Sequence, residues 1–147
     1  MKSSDIFQVR QKLLKSAPIL LKPRPVLISY LYGSYARGDV HPFSDIDIGI
    51  YLEKMTPGKA LDNELSLALE FDEILGSKTN VDVRSINTIP LMIKGNIVTE
   101  GILLYSRNDA LRVEFETNVR KKYFDFKTFI NRYQKEYLSY SIAGNQL

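Results

Sequence analysis

The sequence places two aspartates at the start of a run that otherwise has the composition of a buried β-strand. Asp45 and Asp47 flank Ile46 and lead into the apolar segment 46–52, IDIGIYL. Side chains alternate between the two faces of a strand, so Asp45, Asp47 and Gly49 are expected to face away from the core. Two ionised carboxylates about 5 Å apart repel each other by roughly 3 kcal/mol at an effective dielectric constant of ~20. Either a cation offsets that repulsion or one carboxyl group stays protonated.

A third aspartate raises the same question on a later strand. Asp82 and Arg84 share the polar face of the segment 80–86. If that strand lies beside the first, three carboxylates gather on one patch of the sheet. Mg²⁺ is a hard cation that prefers oxygen ligands, and two such ions would suit a displacement at phosphorus. The ordinary alternatives are a surface strand or turn for Asp45 and Asp47, and a solvent-facing residue for Asp82.

Hydrophobic periodicity and turn residues predict an α/β (α+β) fold, a small mixed sheet flanked by helices. The predicted helices cover residues 4–17, 60–75 and 89–100, and the predicted strands cover 26–32, 46–52, 80–86 and 102–105. Pro18 is expected to end the first helix. The apolar positions that fit the second helix are Leu61, Leu65, Leu69 and Phe71. The 147 residues suggest a single domain, with a core at about 24–106 and a helical extension at about 109–142.

The composition limits which classes of partner and which cellular compartment are expected. The net charge of +3 is compatible with an anionic ligand. No block or stripe of Lys and Arg indicates direct binding of nucleic acid, and the cluster 120–122 fits a solvated helix face. The absence of cysteine excludes disulfides and thiolate metal sites. No apolar run is long enough to span a bilayer and no secretory signal is visible, so we expect a cytoplasmic protein without membrane contact.

A glycine–serine pair follows the first predicted strand. Gly33 permits a tight turn and lets the backbone approach a ligand closely, since it has no Cβ. Ser34 is predicted to begin a short helix, whose free N–H groups favour a phosphate. Arg37 can add positive charge, although pairing with Asp39 or Asp45 is an equally good interpretation. The junction alone is also compatible with a plain connection, so the order and spacing of the whole combination are what indicate a phosphate site.

This combination resembles the signature of the nucleotidyltransferase superfamily related to DNA polymerase β. The pattern GS-x-ARG, a loop and then SD-x-D is present as GSYARGDVHPFSDID from Gly33 to Asp47, with Asp82 on a later strand. The segments 100–109 and 113–129 are similar to the tail of the minimal members, the MntA-type antitoxins that pair with HEPN toxins of the HepT type. The resemblance covers most of the chain past Leu27 and implies the nucleotidyltransferase fold.

The resemblance also implies an activity and a set of roles. Such antitoxins transfer AMP from ATP to a tyrosine of a HEPN ribonuclease toxin, which silences the toxin. The HEPN toxin is therefore the expected partner, in a hetero-oligomer. The expected catalytic residues, which also bind two Mg²⁺ ions, are Asp45, Asp47 and Asp82. The expected nucleotide-binding residues are Gly33 and Ser34, at the β- and γ-phosphates, and Arg37. Arg84 departs from the family pattern, which favours an apolar or small residue there.

Two other functions stay open. One is a nucleotidyltransferase that modifies a small molecule such as an aminoglycoside, a class that usually carries an additional substrate-binding domain. The other is a non-catalytic module that neutralises a toxin by binding alone. The C-terminal tyrosines also have two interpretations, a partner-binding face or the packing of a long helix onto the domain; these are Tyr123, Tyr133, Tyr137 and Tyr140. His41 is expected to be a solvent-exposed loop residue.

Overall fold

Nine elements follow one another along residues 3–145, which are the residues that the computed structural model describes. They are α1 Ser3–Leu21, β1 Val26–Tyr32, α2 Ser34–Arg37, β2 Ile46–Leu52, α3 Pro57–Ile74, β3 Val81–Ser85, α4 Leu91–Glu100, β4 Ile102–Ser106 and α5 Asp109–Asn145. The predicted mixed α/β fold with a C-terminal helical extension is confirmed. The predicted strands differ from the observed ones by no more than a residue at either end.

The four strands form one sheet in the order β3-β2-β1-β4. β1 is antiparallel to both of its neighbours, whereas β2 and β3 are parallel. α3 provides the crossover that a parallel pair requires. The parallel register pairs Asp47 with Asp82, and the antiparallel register pairs Asp47 with Tyr32. The topology therefore brings two of the three acids predicted to act together onto adjacent strands.

The alternation of β2 separates its two faces as predicted. Ile46, Ile48 and Ile50 are fully buried in the cluster formed with α1 and α3. Tyr51 points to the opposite face, which α4 and the first half of α5 cover. Burying a β-branched side chain of this size stabilises a fold by about 1.5–3 kcal/mol. This burial holds β2 in the centre of the sheet, and with it the two aspartates at its start.

Pro18 does not end the first helix. α1 continues to Leu21, and the amide N of Lys22 still donates to the carbonyl O of Pro18 at 3.2 Å. A proline inside a helix removes one backbone hydrogen bond. Ala17 and Leu21 are both fully buried in the core, and their burial offsets that loss. The prediction of a helix end at Pro18 is wrong because packing outweighs the local cost.

The apolar positions of α3 lie on two faces. Leu67 and Phe71 are fully buried and set the inward face. Leu61, Leu65 and Leu69 lie on the solvent face, between 51% and 72% exposed. Spacing alone could not separate these two stripes, because both repeat every four residues.

The first half of α5 is fixed to the sheet and to α4. The hydroxyl of the buried Tyr30 donates to Glu116 Oε1 at 2.8 Å. Tyr123 packs on Gly95 of α4, where any Cβ would overlap its ring, and donates to Asn96 Oδ1 at 3.1 Å. Gly95 is therefore the residue that permits this close approach of the two helices.

The second half of α5 exposes its aromatic side chains. Tyr133, Tyr137 and Tyr140 are each at least 60% exposed, so packing onto the domain is the wrong interpretation for these three and the right one for Tyr123. No helix between residues 3 and 145 is both long and apolar enough to cross a bilayer.

Candidate active site

Four residues of the predicted site meet at one edge of the sheet. β1 ends at Tyr32, so Gly33 lies where that strand leaves the edge. Asp47, on β2, is paired with Tyr32 on one side and with Asp82 of β3 on the other. Asp45 lies just before β2 and is exposed. The phosphate-turn candidate and the carboxylates are therefore neighbours.

Gly33 has a conformation and a position that require glycine. Its φ of 72° and ψ of −153° are rarely adopted by residues with a side chain. A Cβ at this position would also collide with Asp47 Oδ2. α2 begins directly afterwards at Ser34 and ends at Arg37. The next residue, Gly38, caps it, and its amide donates to the carbonyl O of Ser34 at 2.7 Å. The turn therefore brings its backbone against the Asp47 carboxylate.

An arginine from α1 supports this turn. Arg10 Nε donates to the carbonyl O of Tyr35 at 2.8 Å, and a terminal nitrogen of Arg10 donates to the carbonyl O of Ala36 at 3.0 Å. Both carbonyls belong to α2, which is too short to satisfy them internally. Arg10 therefore fixes α2 from outside the motif.

Replacing Arg10 with Met should loosen the turn without touching the carboxylates. Methionine keeps an apolar stem but removes both hydrogen bonds that Arg10 donates to α2. We expect the free energy of unfolding to fall by about 1–3 kcal/mol, and the affinity for an ATP analogue to fall several-fold. Urea unfolding and calorimetric titration measure the two effects. Lys12→Met, an exposed position on the same helix, is the control, and equal losses in both variants would contradict the role of Arg10.

A small loop positions Asp45. The amide N of His41 donates to Ser44 Oγ at 3.0 Å, and the amide N of Ser44 donates to the carbonyl O of His41 at 2.9 Å. Ser44 is buried, while His41 is exposed as predicted. These reciprocal bonds close the loop immediately before Asp45 and fix its backbone.

The negative charges of the site act on one another. Burial first, and then the charges of Asp82 and Asp45, raise the pKa of Asp47 from 3.8 to about 6. Burial first, and then the charges of Asp47 and Asp82, raise the pKa of Tyr32 to about 12. The Asp82 carboxylate accepts a hydrogen bond from Arg84 Nε at 3.0 Å. The repulsion predicted from the sequence is therefore present, and Arg84 compensates part of it.

This pKa predicts how the stability of the metal-free chain depends on pH. Asp47 binds its proton more tightly in the folded chain, with a pKa of about 6, than in the unfolded chain, with 3.8. As the pH rises from about 4 to 6, the unfolded state gives up that proton first. Asp47 should therefore cost about 2 kcal/mol of stability above pH 6, after discounting for solvent screening. Urea unfolding in EDTA should give a difference between wild type and Asp47→Asn that grows across this range; parallel curves would contradict the prediction.

The donor set fits a divalent cation in its chemistry. It offers carboxylate oxygens alone, and no ion pair joins Asp45 or Asp47 to a cationic side chain in the described part of the chain. Across residues 3–145, no three His, Cys, Asp or Glu side chains are already close enough together to enclose a metal ion. The residues that would hold the cation are Asp45, Asp47 and Asp82.

Arg37 lies close to two acidic side chains of this chain, Asp39 and Glu100. Its guanidinium lies 3.2 Å from Asp39 and 4.0 Å from Glu100, at the end of α4. Pairing with Asp39 is one of the two alternatives foreseen from the sequence. The side chain is 46% exposed, so the pair is weak and exchangeable. Arg37 lies beside the turn and lowers the pKa of Asp47 slightly.

Three residues that shape the site were not predicted to do so. Arg10 reaches α2 from 25 residues away, a contact that no local pattern indicates. Ser44 precedes Asp45 in the SD-x-D pattern, so its position in the motif was the available signal. Tyr32 occupies the last position of β1, and the pairing of β1 with β2 is what reveals its place beside Asp47.

Comparison with known proteins decides the family. Residues 15–110 match the family described as polymerase beta, nucleotidyltransferase. The chain belongs to this family. The match includes the whole turn, both aspartates at the start of β2, and Asp82.

A sequence relative and two solved structures add detail. A protein of Methanocaldococcus jannaschii that has been assigned as a protein adenylyltransferase is 36% identical over 98 residues, which are 67% of this nucleotidyltransferase and 96% of the relative. A chain from the complex of tri-AMPylated Shewanella oneidensis HEPN toxin with MNT antitoxin superimposes with a TM-score of 0.62, at 18% identity, over 87% of this chain and 98% of the other. A chain from a toxin–antitoxin complex with AMP-PNP gives 0.58 at 17% identity, over 94% and 99%. At these identities the two structures establish the fold.

Proposed function

We propose that this nucleotidyltransferase is a protein adenylyltransferase that moves AMP from ATP to a tyrosine of a HEPN-domain toxin, and so acts as the antitoxin of the pair. The observation that carries the proposal is the contact between the Gly33 turn and Asp47, with Asp82 paired beside it. A phosphate-binding bend and a carboxylate cluster are the two parts that nucleotidyl transfer needs. The assigned activity of the Methanocaldococcus relative and the toxin–antitoxin complexes among the structural neighbours support the choice of acceptor.

In the proposed reaction the acceptor oxygen forms a bond to the α-phosphorus of ATP. The bond from that phosphorus to the bridging oxygen breaks, and pyrophosphate leaves with the electron pair. Gly33 and Ser34 hold the β- and γ-phosphates, so that the α-phosphorus faces the carboxylates. Positioning and charge stabilisation supply most of the acceleration in phosphoryl and nucleotidyl transfer.

The carboxylates have separate tasks in this proposal. Asp45 and Asp47 would hold one Mg²⁺ ion, and Asp82 would complete the site of a second. When bound, the two ions neutralise the triphosphate and lower the pKa of the acceptor hydroxyl, which is near 10 in free tyrosine. Asp82 accepts the proton of that hydroxyl. Arg84 bonds to Asp82 Oδ2, which directs this proton to Oδ1.

Intact mass spectrometry tests the proposal. The chain is incubated with Mg²⁺, ATP and the protein encoded by the adjacent gene, and then with an aminoglycoside instead of that protein. We expect the mass of one or more AMP groups on the protein acceptor, located on tyrosine by fragmentation. AMP on the aminoglycoside alone would favour the small-molecule enzyme. Tight binding of the protein acceptor without any AMP would favour the non-catalytic module.

A further inference from the structure

The second half of α5 extends past the end of the sheet where Gly33, Asp47 and Asp82 lie. We call this end the catalytic edge. Arg107, just before α5, donates its amide N to the carbonyl O of Leu27 at the start of β1, whereas Glu116 reaches Tyr30 further along that strand. α5 therefore runs in the same direction as β1, toward Gly33. The helix emerges on the face of the sheet that carries Asp47.

The end of α4 marks the point at which α5 leaves the folded domain. Tyr123 is bonded to Asn96, and α4 reaches the catalytic edge four residues later, where Glu100 lies 4.0 Å from Arg37. Four helical residues span about 6 Å, so α5 passes the same level near residue 127. The helix continues for roughly another 20 Å to residue 141. We define residues 128–141 as the arm.

The surface of the arm has the pattern of a helix-packing seam. From Phe126, just before the arm, positions alternately four and three apart carry large apolar side chains in a heptad spacing. Those within the arm are Ile130, Tyr133, Tyr137 and Tyr140. Apart from Ile130, these side chains are between 38% and 81% exposed. A heptad spacing presents one stripe to a neighbouring helix. A contiguous exposed surface of this kind is typical of a binding site in a folded protein.

The positive charge of this region lies mainly where α5 leads into the arm. Residues 120–127 contain Arg120, Lys121, Lys122 and Lys127 against Asp125, and the arm itself contains Arg132 and Lys135 against Glu136. The flanks of the seam include Arg132 and Lys135. Charge complementarity therefore favours an acidic occupant over a second, equally basic copy of this chain.

We infer that the arm docks an acidic, helical acceptor protein and holds it next to the catalytic edge. This inference rests on the proposed function, since it assigns the surface by which the acceptor of AMP is recognised. The apolar seam packs against a helix of the acceptor, and the basic flanks pair with acidic side chains around it. Because the arm begins at the level of Glu100, an acceptor bound there lies beside Gly33 and Asp47.

The test compares arm variants with a matched surface change elsewhere. Tyr133→Glu/Tyr137→Glu alters two exposed positions of the seam, and Arg132→Glu/Lys135→Glu alters its flanks. Leu65→Glu/Leu69→Glu places the same two charges on the exposed face of α3, on the opposite side of the sheet, as the control. The probe is the purified protein encoded by the adjacent gene. Calorimetry measures its affinity, intact mass measures AMP transfer at limiting acceptor, and a separate titration measures the affinity for an ATP analogue.

We expect the tyrosine variant to weaken acceptor binding by at least about 30-fold, which is the usual size of a central hot spot. The flank variant should weaken it less and reduce its dependence on salt. Nucleotide affinity should be unchanged in both, and Leu65→Glu/Leu69→Glu should match wild type. Unchanged acceptor binding in the tyrosine variant, or an equal loss in Leu65→Glu/Leu69→Glu, overturns the docking surface.

The outcomes separate this inference from the proposed function. If wild type transfers AMP and the arm variants still bind the acceptor fully, the proposed function is supported and the docking role of the arm is contradicted. Binding that depends on the arm without any AMP transfer would keep the arm and overturn the adenylyltransferase. Failure of the wild-type chain to bind the probe at all would overturn both. Sedimentation adds one more outcome, since a wild-type dimer that the tyrosine variant abolishes would show that the arm pairs with itself and would overturn the acidic acceptor as its occupant.

Discussion

Replacing Asp47 with Asn is expected to lower the rate of AMP transfer about 1000-fold, a loss of ~4 kcal/mol of transition-state stabilisation. Asp47 lies at the centre of the site, paired with Asp82 and in contact with the Gly33 turn. Asparagine keeps the shape of the side chain but removes the charge that a divalent cation requires. The affinity for Mn²⁺, measured by calorimetry in the absence of nucleotide, should fall together with the rate.

The same substitution should not damage the fold. Asp47 is repelled by Asp82 and Asp45 in the metal-free chain, so its removal should raise the free energy of unfolding at pH 7. Asp62→Asn, at an exposed position on α3, is the matched control and should leave rate, metal affinity and stability unchanged. A wild-type rate in Asp47→Asn would show that the carboxylate cluster is not the catalytic centre.

Replacing Gly33 with Ala is expected to have the second largest effect. A side chain here meets two penalties, because φ is 72° and the Cβ collides with the Asp47 carboxylate. Backbone strain of this kind costs about 1–3 kcal/mol, and the displaced carboxylate adds to the cost. We expect stability to fall by that amount or more, and the affinity for an ATP analogue to fall at least about tenfold as the turn opens.

A second glycine supplies the control for this prediction. Gly58 lies in the first turn of α3, where an added methyl group would have no neighbouring atom within 4 Å. Gly58→Ala should therefore stabilise the chain by about 0.5–1 kcal/mol and leave nucleotide binding unchanged. If Gly33→Ala behaves like Gly58→Ala, the turn does not have the tight fit that the proposed phosphate site needs.

The elements of the fold and the order of the motif could be predicted because each is local. The alternation around Ile46 and Ile48, and the Gly–Ser junction, are patterns within a few residues. The pairing of Asp47 with Asp82 is not local, and it was considered only for the case that the two strands are neighbours. The sheet topology shows that β2 and β3 are neighbours.

Contacts between distant segments could not be predicted in the same way. The hydrogen bonds from Arg10 to α2 join residues about 25 positions apart, and the tolerance of Pro18 depends on the burial of Leu21. The exposed stripe of α3 and its buried stripe share one spacing, so only packing could distinguish them. The roles of Ser34 and Arg37 toward a nucleotide stay predictions.

The hydrogen bond between Tyr30 and Glu116 anchors α5 to the sheet, and beyond that anchor the helix is rigid. The helix contains no proline, and its only glycine is Gly144, so nothing between the sheet and residue 141 forms a hinge. An acceptor protein bound to such a rigid helix is held at a fixed distance and orientation relative to the nucleotide. Target choice would then follow from where a tyrosine sits on the acceptor's surface, and its flanking amino acids would matter little.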